Sequence, residues 1–382
     1  MKALLLFLLF LSPGWVERRG TELVCEEKPV RLRGMCLGNW WVPEGYMFGF
    51  TKATSPTQIE RGVLELLGPE ESDAFWSAYR AAYVTRADLE LLARSGFNTV
   101  RVPLHWKFLR DPGELQRLDW LIQECKRLNL WVLPDLHAAP GGQTGDNIDD
   151  GASYPWLFES PASRKLAAEL WREIAERYKD EPTVLGYELL NEPIPNWPGY
   201  TELHPKLDEV YREIGAAIRK VDGRHLLFLD GAEWATKFEH VSTDWDSRLV
   251  LAFHRYWADP QAIQPYLDVR KSRGVPLLMS ESGENNTQWI GDFRKRLEKE
   301  EVGWYFWPYK KMKTDSCVAL IQTPPHWDKV VAWMDGFGLE GEERRKLRPS
   351  RAEARAAFEG LLENVRLERC SVQRGFLEAL LK

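Results

Sequence analysis

Two glutamates stand where they could do chemistry. Glu192 lies in VLGYELLNEPIPNW, where an apolar, strand-like run gives way to Asn191 and Glu192 and is then stopped by Pro193. Glu281 ends a second such run, VPLLMSESGEN. A lone buried carboxylate is costly, so ionisable groups at the ends of buried strands need a reason. Two carboxylates facing each other across a cleft supply one: the first delivers a proton to a leaving oxygen, and the second attacks the electrophilic carbon or activates water. That is the equipment for cleaving a glycosidic bond. Either Glu alone reads more readily as a salt-bridged surface residue, so the pair acquires meaning only if the fold unites it.

Eight short apolar runs are spaced along the chain with amphipathic stretches between them. They are VRLRGM near Leu32, NTVRV from Asn98, LWVLPDL from Leu130, VLGYELL from Val184, HLLFLD from His225, LVLAFH from Leu249, VPLLMS from Val275 and VGWYFW from Val302. Intervening segments such as TRADLELLARSG, with Thr85 to cap it and Gly96 to end it, and SRKLAAELWREIAERYKD read as helices. Alternating strands and helices predict a parallel sheet with crossover helices, and eight repeats predict a single-domain (β/α)8 TIM barrel with long βα loops at the C-terminal rim. Active groups of such barrels sit at the C-terminal strand ends. Those ends here carry Asn39, Arg101, His137, Asn191, Glu192, His254, Tyr256, Glu281 and Trp307. Two long insertions, one of about fifty residues after the first strand and one reading HAAPGGQTGDNIDDGASYPW, would wall the same rim.

The 382 residues suffice for one barrel of roughly 250 residues with insertions. A net charge of -6 excludes a basic nucleic-acid-binding surface. Five cysteines, at 25, 36, 125, 317 and 370, show no metal-ligand spacing and read mostly as buried thiols. Eighteen tryptophans are more than a core of this size ordinarily uses, a hint of sugar stacking beside ordinary packing. The opening MKALLLFLLFLSPGW resembles a secretory signal, so residues 1–20 are expected to be a leader and 21–382 the catalytic barrel with its C-terminal helices. Export to the periplasm or medium follows, with no stable membrane span.

The motifs together resemble glycoside hydrolase family 5, the cellulase and exo-β-1,3-glucanase group, from Val30 to about Lys311. RGMCLGNWWVPEGYM, NTVRVPLHW, DLHAAPGGQTG, LLNEP, HRYW, LLMSESGEN and GWYFWPYK match the family's strand segments in order. The resemblance implies that Glu192 is the general acid/base and Glu281 the nucleophile of a retaining mechanism. It further implies that Arg101 pairs with Glu281, that Tyr256 stands beside the nucleophile and His254 beside the acid/base, and that Asn191 and His137 bind the reacting sugar. Trp307 would form the stacking floor, with a cis bond to Pro308, and Glu44 would bind outer hydroxyls. Glu284 is a rival for Glu281, but the family's nucleophile stands immediately at the strand end. His105, Trp106, Trp197, Trp257 and Trp289 lie near these motifs and could bind further sugars or simply pack.

The expected function is retaining hydrolysis of β-glucans or β-glucosides by a monomer, with an oligo- or polysaccharide as partner and no metal or cofactor. The third loop, GGQTGDNIDDG, departs from the exo-glucanase pattern, which leaves the closure of the site open. A glucosidase acting on small or lipid-linked β-glucosides is the alternative within the same chemistry. A carbohydrate-binding barrel without turnover is the alternative outside it.

Overall fold

The computed structural model describes residues 13–382 except Ala152. All eight apolar runs become strands of one closed barrel: β1 Arg33–Cys36, β2 Thr99–His105, β3 Trp131–Ala138, β4 Gly186–Glu188, β5 Leu226–Asp230, β6 Leu249–His254, β7 Leu277–Glu281 and β8 Gly303–Phe306. Neighbours pair in parallel, and β8 pairs β1 to close the ring. This is the (β/α)8 barrel that the sequence predicts.

Strand side chains alternate between the two faces of the barrel wall. Leu227 and Leu229 of β5, like Leu249, Leu251 and Phe253 of β6, pack outward against the helices. Leu226, Phe228, Val250, Ala252 and Leu278 fill the interior. The same parity, followed up each strand, delivers Asp230, His254 and Ser280 to the upper layer. One period-2 pattern therefore builds an apolar floor and a polar ceiling.

The helices form as their caps dictate. Thr85 opens Arg86–Ser95 with a capping box to Asp88, and Gly96, at φ 110°, ends it in the left-handed conformation that a side chain disfavours. Ser160 caps Pro161–Tyr178, whose Leu170, Trp171 and Ile174 face the core. The first long insertion is itself helical. Pro56–Leu67 and Pro69–Tyr83 pack against Arg351–Asn364 from the chain's tail, so one side of the rim is braced by residues nearly three hundred positions away.

At the opposite end, Val16–Arg19, Glu22–Cys25 and Lys28–Pro29 form a small antiparallel sheet, and Trp131 donates its indole N–H to the Gly14 carbonyl at 2.9 Å. The last eight residues of the expected 1–20 leader are thus folded, Val16–Arg19 being one strand of that sheet, while residues 1–12 lie outside the described part. No helix among the described residues is long and apolar enough to cross a membrane. All five cysteines are free, with Cys36, Cys125 and Cys317 buried.

Just past β8, a buried lysine ties the periphery to the barrel. Lys310 is fully buried and uses all three donors, to Asp88 at 2.5 Å and to the carbonyls of Tyr83 at 2.6 Å and Val365 at 2.8 Å. Removing one member of a buried ion pair leaves the other charge uncompensated. Lys310→Ala is expected to lower the unfolding free energy by about 3 to 5 kcal/mol. The reading is a lower urea midpoint at an unchanged m value.

Candidate active site

Three devices aim the upper-layer groups. Glu281 follows Ser280, and their parities differ, so a regular strand would turn one of them outward. The register of β7 against β6 slips between Met279 and Glu281, and this irregularity lets both contribute. Glu192 follows the end of β4 with φ 47°, a left-handed conformation uncommon for a residue with a side chain, and its N–H is held by Asp230 Oδ2 at 3.0 Å. Trp307 lies over Gly38, where a Cβ would come within 2.2 Å of the indole, so only glycine admits the ring there. Trp307–Pro308 is a cis bond, as the sequence predicts.

Arg101 is wholly buried at the centre of the ceiling. Its Nε donates to Glu188 Oε2 at 2.6 Å, Nη1 to Glu281 Oε2 at 2.6 Å and Nη2 to Asn191 Oδ1 at 2.7 Å; Asp135 lies 3.1 Å from Nη2. The pairing with Glu281 matches expectation. Arg101 is absent from the cavity lining and meets the cavity through Glu281, which it holds, and Asn191, which it orients. Guanidinium only donates, which forces Asn191 to present Oδ1 to it and leaves Nδ2, also buried, without a partner among the described residues.

Glu281 accepts a second hydrogen bond on Oε1, from Tyr256 at 2.8 Å. Burial works to raise its carboxyl, but His254, Arg101 and His137, with the Tyr256 hydroxyl, outweigh burial and hold it below the usual carboxylate range. His254 sits between the two glutamates, with Nδ1 2.8 Å from Glu192 Oε1 and 3.9 Å from Glu281 Oε1, while Nε2 meets Ser280 Oγ at 3.0 Å. Burial would lower the imidazole, yet the surrounding carboxylates of Glu281, Asp230, Glu188 and Glu192 push it well above its ordinary value. A carboxylate oxygen of Glu192 and one of Glu281 lie within 4.8 Å of each other, and a ring nitrogen of His254 lies within the same limit of both.

These groups open into a cavity of about 700 Å³ lined by Glu44, Tyr46, His137, Trp234, Tyr256, Trp257 and Trp307, together with both glutamates and His254. His137 stacks against Trp307 at 5.7 Å with planes 2° apart and is oriented by Asp135, 2.8 Å from Nδ1. Glu44 is buried with Oε1 unpartnered among the described residues; burial first, then the neighbouring carboxylates of Glu281, Glu192 and Glu284, raises it well above the ordinary range. Glu284 bonds Tyr46 at 3.0 Å and pairs with Lys311, and Tyr46 in turn accepts the Trp307 indole N–H at 2.7 Å. The rival glutamate thus braces the floor.

Of the other aromatic candidates, Trp257 lines the cavity and Trp197 is exposed beside it. Trp289 packs on Phe293, Trp106 packs against the core, and His105 is buried beside Asp150. Sequence reading missed Asp135, Glu188 and Asp230, which lie inside apolar strands; their parity with Leu133 and Phe228 was the available signal.

A closed parallel barrel with two carboxylates at its C-terminal rim defines the class of barrel hydrolases that work through paired acids. The chain belongs to glycosyl hydrolase family 5, the cellulase family, whose profile matches residues 60–320. It is 31% identical over 292 residues to a beta-xylosidase of Phanerodontia chrysosporium, covering 72% of this chain and 59% of that one. It is 33% identical over 201 residues to a probable glucan 1,3-beta-glucosidase A of Emericella nidulans, covering 50% of this chain and 48% of that one. The matched part is thus about half the length of these relatives. Among solved structures, an endogalactoceramidase superposes with a TM-score of 0.64 at 15% identity, covering 97% of this chain and 85% of that one, a likeness of fold alone.

Burial works to raise Glu188, but Arg101 and His254 hold it at about 2, below its unperturbed 4.5. A depressed carboxylate stabilises the fold above pH 4.5, and that contribution is lost as pH falls toward about 2. In this window the unfolded chain binds a proton that the native one does not, so stability rises with pH by about 1.4 kcal/mol per unit for this group. Glu188→Gln is expected to remove that slope and to be less stable than wild type above pH 5. Urea midpoints measured across pH test both.

Proposed function

We propose that this protein is a retaining β-glycoside hydrolase acting on β-glucans or β-glucosides, with Glu281 as nucleophile and Glu192 as general acid/base. The observation that carries the reading is the 4.8 Å limit between carboxylate oxygens of Glu192 and Glu281. Retaining enzymes hold their carboxyls about 5 to 5.5 Å apart, whereas inverting ones separate them by about 6.5 to 9.5 Å to admit a water. Family membership supports the same chemistry.

In this reading Glu281, kept ionised by His254 and Arg101 and aimed by Tyr256, attacks the anomeric carbon. Glu192 gives its proton to the departing glycosidic oxygen as that bond breaks. Its Oε1 is engaged by His254, and the other oxygen has no hydrogen-bond partner among the described residues, which leaves it for the substrate. The covalent glycosyl-enzyme is then hydrolysed by a water that Glu192 deprotonates, returning the β configuration. Asn191 Nδ2 and Glu44 Oε1, both buried and unpartnered, suit sugar hydroxyls, and a substrate that satisfies them relieves about 1 to 3 kcal/mol of desolvation at each. Trp307 and His137 offer the flat surface on which the reacting sugar stacks.

Glu281→Ala is expected to lose at least about 10⁴-fold in kcat on aryl β-glucosides. Azide should restore turnover with an α-glycosyl azide as product, because a small anion fills the vacated space. Near-normal activity without azide would remove Glu281 from its role. Glu192→Ala should lose about 10² to 10⁴-fold on unactivated leaving groups and far less on dinitrophenyl glycosides, which depart without a proton. Equal losses on both would contradict the acid/base assignment.

A further inference from the structure

Behind the cavity wall, two histidines and a glutamate from two different loops of the rim face one another. His204, the first residue of the helix His204–Arg219 that follows β4, is 6% exposed, and its Nε2 is buried with no hydrogen-bond partner among the described residues. That nitrogen faces Glu233 Oε1, 3.9 Å away in the loop after β5. His240, further along the same loop, is exposed, and its ring lies 6.2 Å from the His204 ring, centroid to centroid.

A buried ring nitrogen without a partner costs stability, so its placement needs a reason. Two simple ones fail on distance. At 3.9 Å the nitrogen and the carboxylate oxygen are too far apart for a direct hydrogen bond, which spans about 2.7 to 3.2 Å. They are too close for a bridging water, because two hydrogen bonds of about 2.8 Å meeting at a tetrahedral angle span about 4.6 Å. A divalent ion is smaller. Bonds of about 2.0 to 2.2 Å at the same angle span about 3.4 Å, so the gap closes on an ion with a shift of about half an ångström. His240 is exposed, and its ring has room to turn a nitrogen toward the same point.

The chemistry of the three groups agrees with the distances. Burial, against the pull of Glu233, holds the His204 imidazole below its ordinary value, and the neutral ring is the form that binds a metal. Two imidazoles and a carboxylate are donors that suit Zn²⁺, with a fourth position left for water. The backbone supplies an independent reason for a clip at this point. Glu233, Trp234 and Ala235 are three successive non-glycine residues at positive φ, 53°, 61° and 61°, and such a turn persists only where its surroundings fix it. The Glu233 N–H donates to the Ile194 carbonyl at 2.7 Å, which holds the turn from one side. An ion on the Glu233 carboxylate would hold it from the other. Trp234 and Thr236 of this segment line the cavity, so the clip would stiffen that wall.

We propose that His204, Glu233 and His240 form a zinc site that ties the loop after β5 to the helix after β4. None of the three is a proposed catalytic group, so the site stands whether or not the hydrolase reading does.

The test uses the full-length protein without an affinity tag, stripped by a chelator and titrated calorimetrically with Zn²⁺ alone. His204→Gln and His240→Gln should each weaken zinc binding at least about tenfold, since the loss of a ligand costs no less than the loss of a group that merely orients one. Free zinc at about a hundredfold over its Kd should raise the melting temperature of the wild type by about 3 °C and leave both variants unmoved. His240→Gln changes an exposed side chain, so an unaltered melting temperature without zinc shows that this variant folds and that its loss is one of binding. No zinc binding by the wild type, or binding that either variant leaves unchanged, overturns the proposal. So does binding that Glu192→Gln abolishes and both histidine variants keep, which would place the ion among Glu192, His254 and Glu281, whose ligand atoms also lie within 4.8 Å of one another.

Discussion

A guanidinium with no access to water governs the rest of the site. Arg101 cannot shed its charge, and burying it is tolerable only if anions and acceptors surround it. Glu188, Glu281, Asn191 and Asp135 do so. The second buried base is His254, which burial would lower but the carboxylates around it push well above its ordinary value. Beside these two bases Glu188 and Glu281 are both held below the usual carboxylate range. Asp135 and Asp230 are pushed the other way, first by burial. Of the carboxyls that Arg101 holds, Glu281 is the one that opens to the cavity.

Partial satisfaction is the feature that turns this network from a structural cluster into a site. The same arginine that holds Glu281 also turns Asn191, leaving the amide N–H₂ without a partner. Glu44 is left in the same state from the opposite wall. Buried groups left unpaired cost stability, as do the left-handed Glu192 and the irregularity before Glu281. Such departures from local ideality cluster at functional sites, and the surrounding structure offsets them. Here the offset includes the Lys310 and Asp88 tie and the helices that the chain's tail lays over the first insertion.

The barrel was readable from the sequence because each strand carries its own apolar run and each run ends in a polar or aromatic group. The catalytic candidates were readable for the same reason, since Glu192, His254 and Glu281 stand at run ends. Glu188 and Asp135 were not, because each is embedded in a run, Glu188 in VLGYELL and Asp135 in LWVLPDL, and there a single polar residue looks like an interruption. Asp230 ends its run but draws no attention without the neighbours that the fold supplies. The contacts of Tyr154 with Tyr200 and of Trp197 with Trp234 were not legible for a different reason: they join the loops after β3, β4 and β5, which only tertiary structure brings together. Glu284 shows the converse, a carboxylate next to the site in sequence that the fold employs to brace Tyr46 and Lys311.

The central claim is that Glu192 and Glu281 act in two displacements on one anomeric carbon. Proton NMR of the anomeric signals during the first minutes of hydrolysis of an aryl β-glucoside tests it most directly, before mutarotation mixes the anomers. The account predicts that β-glucose appears first and α-glucose only later. Initial release of α-glucose would contradict it, because a single displacement by water requires a wider separation than these two carboxylates have.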